Sequence, residues 1–504
     1  MIYVILKIPA HGRSLNPVQS LGAADVKSGD GMGEGADAPK AAGGEPVAAV
    51  ELAGRLARRE VAAETVVRNH LDRIARLDPA LRAFITVDAE GAIEAARVLD
   101  RQPALVGPLH GLPIAVKDLT DTAGLRTTMG SVLHADRVPE RDDPVVARLK
   151  AAGAIVLGKA NTPEFGFGAV CANRLCGPTA NPFDPRLTSG GSSGGSAVAV
   201  ATGMAALAHG TDFGGSVRTP AGFCGVVSIR PTPGLIGDAA RDLAWSGLAT
   251  HGALARTVDD AALMLSAMAA AEVLDPLSAS AHRPDPNVNS RPQRIAATPD
   301  FGIAPVAAVV RARFAEAMAA AEPVVGPITA ATPDCTGAGR AFRTLRAAQI
   351  ARGFGALADT EGDRLTETVR WNVEAGRRLL AADYLEAEAI RSALWRRFVG
   401  FFRDHDVLIA PSASVMPWPN DDGEVTTIDG APLLDILDYL TVTFVVSLVG
   451  FPVVTIPAPQ GAHALPFGLQ LIGRPGEEAG LIAFARRLER EAGFAWRAPA
   501  IALA

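Results

Sequence analysis

The sequence predicts an α/β fold: a single large domain in which one twisted, mixed β-sheet is covered by helices on both faces. Three observations predict it. Short apolar runs alternate with helical stretches between residues 110 and 170, a helical span from about 300 to 405 is followed by a return to strands, and neither an internal repeat nor a linker divides the chain. With 48 % hydrophobic and 20 % charged residues among 504, a sizeable core is possible. The length exceeds the roughly 100–200 residues of a typical domain, yet large α/β enzymes often run longer as one unit.

Residues 1–45 are expected to form a mobile N-terminal tail. From Leu15 to Gly44 the chain is rich in Gly, Ala, Ser and Asp, with too few large apolar residues to offset the entropy of ordering. Met32 lies inside this stretch and is a candidate native start. The opening MIYVILKIPAHGRS is interrupted by Lys7 after six residues, shorter than the roughly 7–15 of a signal-peptide core, so no signal peptide is expected.

The folded domain is then residues 46–504. Val67, Leu71, Ile74 and Leu77 recur at helical spacing until Asp78-Pro79, which is expected to stop the helix. Ile114–Val116 and Ile155–Gly158 read as strands around a helix at Val145–Ala152, with a further helix near Pro163. Gly/Ser-rich loops dominate Thr188–Gly222. Val309, Phe314 and Met318, and later Leu385–Phe402, mark the helical span, after which Val407–Ala410, Val453–Pro457 and Gly468–Gly473 read as strands. The longest uncharged apolar stretch, Thr441–Ile456, contains Gly450 and Pro452 and falls short of the roughly 20 residues of a membrane span. A buried helix followed by a strand is expected there.

Charge and cysteine usage narrow the partners. The net charge is −6 and the 48 Lys and Arg are scattered, which argues against nucleic acid. Cys171, Cys176, Cys224 and Cys335 form no CxxC pair, so buried thiols in a reduced, cytoplasmic protein are expected.

The chemistry concentrates between Thr188 and Pro231, where SGGSSGGS and GTDFGGS form two Gly-Ser loops separated by a small-residue helix and a short strand. Glycine lets amide N–H groups converge on a ligand, and a serine beside such donors suits acyl transfer, whose tetrahedral oxyanion needs preorganised donors. A serine hydroxyl also needs a base. None of the nine histidines lies in either loop, and His209, in AALAHG, reads as a packed strand residue. Lys117 ends the apolar strand LPIAVKD, so it is carried into the interior, where lost hydration favours the neutral amine. Taken alone, it equally admits a surface pair with Asp118 or Asp121. GGSSG at 190–194 also fits the G-x-S-x-G elbow, but loop-like NPFDPRLTS precedes it instead of a strand. No GK[ST] follows the glycines, HExxH is absent and no His/Cys cluster occurs, so neither a metal nor a cofactor is expected.

Together, LPIAVKD, GGSSGGS and GTDFGGSVRTPAGFCG resemble the amidase signature family. The likeness extends through GKANTPEFGFG, NPFDPRLTSGGSSGG, ARTVDDAALML and the closing FPVVTIPAP and LPFGLQLIGRPGEEAGLI, from about residue 46 to the end. The resemblance implies the amidase signature fold and a Ser-cisSer-Lys amide hydrolase: Ser216 as nucleophile, Ser192, after a cis peptide bond, as proton relay, and Lys117 as base. It also implies an oxyanion hole of the N–H groups of Phe213, Gly214, Gly215 and Ser216, with Ser193 bonded within the site. Asp212, Arg218 and Asn161 are expected to support the loops. The sequence departs from the family at SIRPTPG, Ser228 to Gly234, where Arg replaces the usual Lys in what reads as a structural position.

The expected reaction hydrolyses a small-molecule carboxamide to a carboxylic acid plus ammonia or amine; esters and carbamates would form the same acyl-enzyme. The alternative within the family is the catalytic A-type component of a glutamyl-tRNA amidotransferase, although DLAWSGLATHGALART, Asp242 to Thr257, looks more like stand-alone amidases. A homodimer would be ordinary for the family. Substrate-lining candidates are Phe342 to Trp371, the loop Ser412 to Asp422 with Trp418, and the apolar run Phe444 to Val449.

Overall fold

Among the described residues eleven strands make the central sheet: β1 (Phe84–Val87), β2 (Pro113–Lys117), β3 (Ile155–Ala160), β4 (Leu207–Asp212), β5 (Val227–Arg230), β6 (Thr250–Ala255), β7 (Ile295–Ala297), β8 (Ile328–Ala330), β9 (Val407–Pro411), β10 (Val453–Pro457) and β11 (Gly468–Ile472). Their order across the sheet is β1-β3-β2-β4-β6-β5-β10-β11-β9-β7-β8. The β3-β2-β4 and β9-β7-β8 pairings are parallel and the others antiparallel, so the sheet is mixed as expected. The computed structural model describes residues 45–278 and 294–503, which fall within one compact unit. The expected tail and the Met32 start lie outside the described residues, Glu45 excepted.

The inner strands β2, β9, β10 and β11 are buried along their whole length. That burial on both faces is why they read as continuous apolar runs and not as alternating patterns. Strands β1, β5, β6, β7 and β8 were not expected. β1, β7 and β8 have four, three and three residues, and β1 and β8 sit at the two edges, where such short segments leave no periodic signal; β5 buries Arg230 and β6 opens on Thr250 and His251, so neither reads as an apolar run.

Two helical expectations need correction. The helix Ala63–Leu81 runs through Pro79 and ends only where Arg82 turns left-handed, its N–H bonded to the Asp78 carbonyl. Asp78 instead uses its carboxylate to accept the N–H groups of Ala83 and Phe84, so it caps the exit and does not break the helix. Near Pro163 there is a single 3-10 turn, Glu164–Gly166, because Phe165 has φ 51° and cannot continue an α-helix. The helical span is formed by Ala308–Val325, Ala338–Glu361, Glu367–Arg377 and Ala381–Asp404, and the apolar stretch by the helix Thr441–Val449 followed by β10. Among the described residues no helix is long and apolar enough to cross a membrane.

Candidate active site

Sheet register brings Lys117 to the loops. Strands β2 and β4 are parallel with Val116 opposite His209, so Lys117 leaves the end of β2 beside Thr211 near the end of β4. Ligand sites of α/β sheets form at such carboxyl ends. Lys117 is fully buried, and its Nζ lies 2.7 Å from Ser192 Oγ, 3.0 Å from Thr211 Oγ1 and 3.5 Å from the Thr211 carbonyl. Burial lowers its pKa from 10.5 to about 7, with Cys171 and Asp212 opposing the shift. The alternative surface pairing is absent: Asp118 accepts the N–H groups of Thr128 and Gly130, while Asp121 pairs with Arg137 at 2.6 Å.

The two Gly-Ser loops hold each other. The peptide bond between Gly191 and Ser192 is cis, and a Cβ on Gly191 would come within 2.6 Å of the Gly168 carbonyl, so no side chain fits there. The Ser193 N–H donates to the Ser216 carbonyl at 3.0 Å, tying the SGGSSGGS loop to the GTDFGGS loop. Behind them the Asp212 carboxylate accepts from the Gly215 N–H at 3.0 Å, the Val217 N–H at 3.1 Å and the Arg218 guanidinium at 2.9 Å, with Arg230 at 3.3 Å. Burial opposes that charge, but Arg218 and Arg230 outweigh it and hold the carboxyl well below the usual range. Arg230 also donates to the Asp212 and Leu248 carbonyls, which explains the arginine in SIRPTPG as a structural feature.

Ser192, Ser216, Thr211, Phe213 and Gly214 open onto a cavity of about 270 Å³. Its remaining wall is mostly apolar, with Leu119, Phe165, Phe167, Phe342, Ile350 and Leu440 among its residues. Among the described residues Arg346 is its one charged lining residue.

Several expected roles shift. Gly215 is not on the cavity wall, and its N–H is committed to Asp212, so among the expected oxyanion donors Phe213, Gly214 and Ser216 face the cavity. Ser193 is buried with its hydroxyl on the Thr211 carbonyl at 3.2 Å and is not on the cavity wall. Asn161 donates to the Thr179 hydroxyl and the Gly177 carbonyl and so braces loops. Phe342 lines the cavity as expected, but Trp418 packs against Phe223 and Tyr439, and Phe444 stacks behind Phe342 at 4.3 Å instead of facing substrate. His209 is buried, with Nε2 2.9 Å from His251 Nδ1, and no histidine lines the cavity among the described residues. Thr211 and the phenylalanines of PEFGFG were missed: both stand in recognised motifs, but only tertiary neighbours reveal their roles.

Comparison with known proteins follows the same line. The profile of the amidase family matches residues 65–482. An acylamidase of Rhodococcus erythropolis is 33 % identical over 470 residues, 91 % of this chain and 98 % of its own. The A-type component of the glutamyl-tRNA(Gln) amidotransferase of Thermosynechococcus vestitus is 34 % identical over 472 residues, 87 % of this chain and 97 % of its own. Among solved structures, a bacterial aryl acylamidase of the amidase signature family shares the fold with a TM-score of 0.82 over 88 % of this chain and 96 % of its own, at 24 % identity. A structure described as a vestigial protein complex revealing the origins of an s-triazine catabolic enzyme reaches 0.82 at 29 % identity, covering 90 % and 100 %. The chain therefore belongs to the amidase signature family of enzymes that hydrolyse amide C–N bonds.

Proposed function

We propose that the protein cleaves a small carboxamide to a carboxylic acid and ammonia or an amine, through an acyl-enzyme on Ser216 with Ser192 as relay and Lys117 as base. The observation that carries this reading is the 2.7 Å contact between Lys117 Nζ and Ser192 Oγ, made by an amine whose burial brings it to about pKa 7. A neutral amine has two N–H groups and one lone pair. Thr211 offers acceptors to the former at 3.0 and 3.5 Å, which leaves the lone pair for the Ser192 hydroxyl proton.

In the first half-reaction Ser192 gives its proton to Lys117 as it takes the proton of Ser216, whose oxygen attacks the amide carbonyl. Charge develops on the carbonyl oxygen, where the amides of Phe213, Gly214 and Ser216 are the donors at hand. The C–N bond then breaks as the relay returns the proton to the departing nitrogen, since an amine anion is a very poor leaving group. Water attacks the resulting ester through the same relay, releasing the acid and restoring Ser216.

The test is product release from a panel of primary amides, anilides, carbamates and esters by the wild type and by Ser216→Ala. Hydrolysis lost by a factor on the order of 10⁴ or more in the mutant is expected; a mutant that retains turnover would refute the nucleophile. A second reading, the A-type component of a glutamyl-tRNA amidotransferase, is favoured by the 34 % identity to such a protein. Turnover of glutamine alone from that panel, dependent on added partner proteins, would favour it.

A further inference from the structure

Arg346 stands out within the cavity. It is nine-tenths buried, it lines the same space as Ser192 and Ser216, and among the described residues it forms no salt bridge. A buried guanidinium without a counter-charge is costly, and such groups are retained where something pairs with them. Its neighbours hold it but do not neutralise it. One Nη1 donates to Asn372 Oδ1, an oxygen kept in that orientation because Asn372 Nδ2 donates to the Thr368 carbonyl at 2.7 Å. The guanidinium carbon lies 5.6 Å from the centre of the Phe167 ring. The acidic side chain that acts on it electrostatically, Asp435, is itself gripped by Arg343 at 3.1 and 3.0 Å. Burial lowers the Arg346 pKa to about 10, so it stays charged at neutral pH.

We propose that Arg346 selects amides that carry a carboxylate separated from the scissile carbonyl by an apolar spacer. The proposal rests on this cavity being the amide-binding site. The apolar residues that line this cavity together with the two serines and Arg346, including Phe165, Phe342 and Ile350, suit the spacer, and the fork of Arg346 suits the carboxylate at its end. Monoamides of dicarboxylic acids have this chemistry.

Calorimetric titration of Ser216→Ala with the monoamides of succinic, adipic and suberic acid, and with their methyl esters as neutral counterparts, tests it without turnover. At least one monoamide is expected to bind about 10- to 100-fold more tightly than its ester. Adding Arg346→Met is expected to bring that ratio to about one, and Arg346→Lys to restore part of it. Equal affinities in Ser216→Ala, binding of none of the three acids, or a ratio that survives Arg346→Met would overturn the proposal. Because binding is read in a protein that cannot form an acyl-enzyme, an error in the Ser216 chemistry would show in the hydrolysis panel and not here.

Discussion

In the proposed mechanism Lys117 serves as the base because burial makes charging it expensive. Between pH 7 and 10 the unfolded chain carries a proton on this amine that the folded chain has shed, so its contribution to stability rises with pH across that window. The sign for catalysis follows: kcat/KM is expected to climb as pH passes about 7 and then level, and a profile flat from pH 5 to 9 would contradict the assignment. Lys117→Met should abolish that limb with turnover lost by about 10³-fold or more, while thermal unfolding shifts up by a few degrees because a buried amine is gone. That Lys117 meets Ser192 and that Ser192 and Ser216 share a cavity could be anticipated from the sequence because fixed motifs carry these candidates. Thr211 and Arg346 could not be anticipated, since a hydroxyl gains its role from the amine 3.0 Å away and an arginine in a long helix looks like any other until a cavity opens beside it.

The Gly-Ser loops owe their shape to contacts between elements. Gly215 has φ 125°, and a Cβ there would fall 2.5 Å from Thr443 Oγ1, a hydroxyl that donates to the Gly214 carbonyl. Gly215→Ala is therefore expected to cost about 1–3 kcal/mol in denaturant unfolding and to lower kcat, because the strain displaces the neighbouring Ser216. Asp212 links the same loop to Arg218 and Arg230, all three buried. Asp212→Ala leaves both cations without their carboxylate and is expected to destabilise the fold by about 3–5 kcal/mol, again read by denaturant titration. The inner strands β2, β9, β10 and β11 were legible as apolar runs, whereas polar residues hid β5 and β6, β1, β7 and β8 were too short, and Pro79 misled because Asp78 serves the following segment and lets the helix continue past it.

At the scale of the molecule, alternating strands and helices around 110–170 and the closing strands sufficed to anticipate one mixed sheet, because buried strands of a large sheet leave strong apolar runs. The substrate cavity was less legible, because its wall is drawn from segments as far apart as Leu119 and Leu440, and which side of a helix faces inward depends on packing: Phe342 reaches the cavity, while Phe444 stacks behind it. The proposed catalytic residues all lie between 117 and 216, well inside the folded domain, so a chain beginning at residue 45 is expected to retain the kcat/KM and unfolding midpoint of the full chain. The central claim is tested most directly by rapid quench of the enzyme with an activated amide or ester, followed by intact-mass measurement and peptide mapping. One acyl group per chain on Ser216, absent from Ser216→Ala, is the predicted result, and an adduct on any other residue, or turnover by Ser216→Ala, would contradict it.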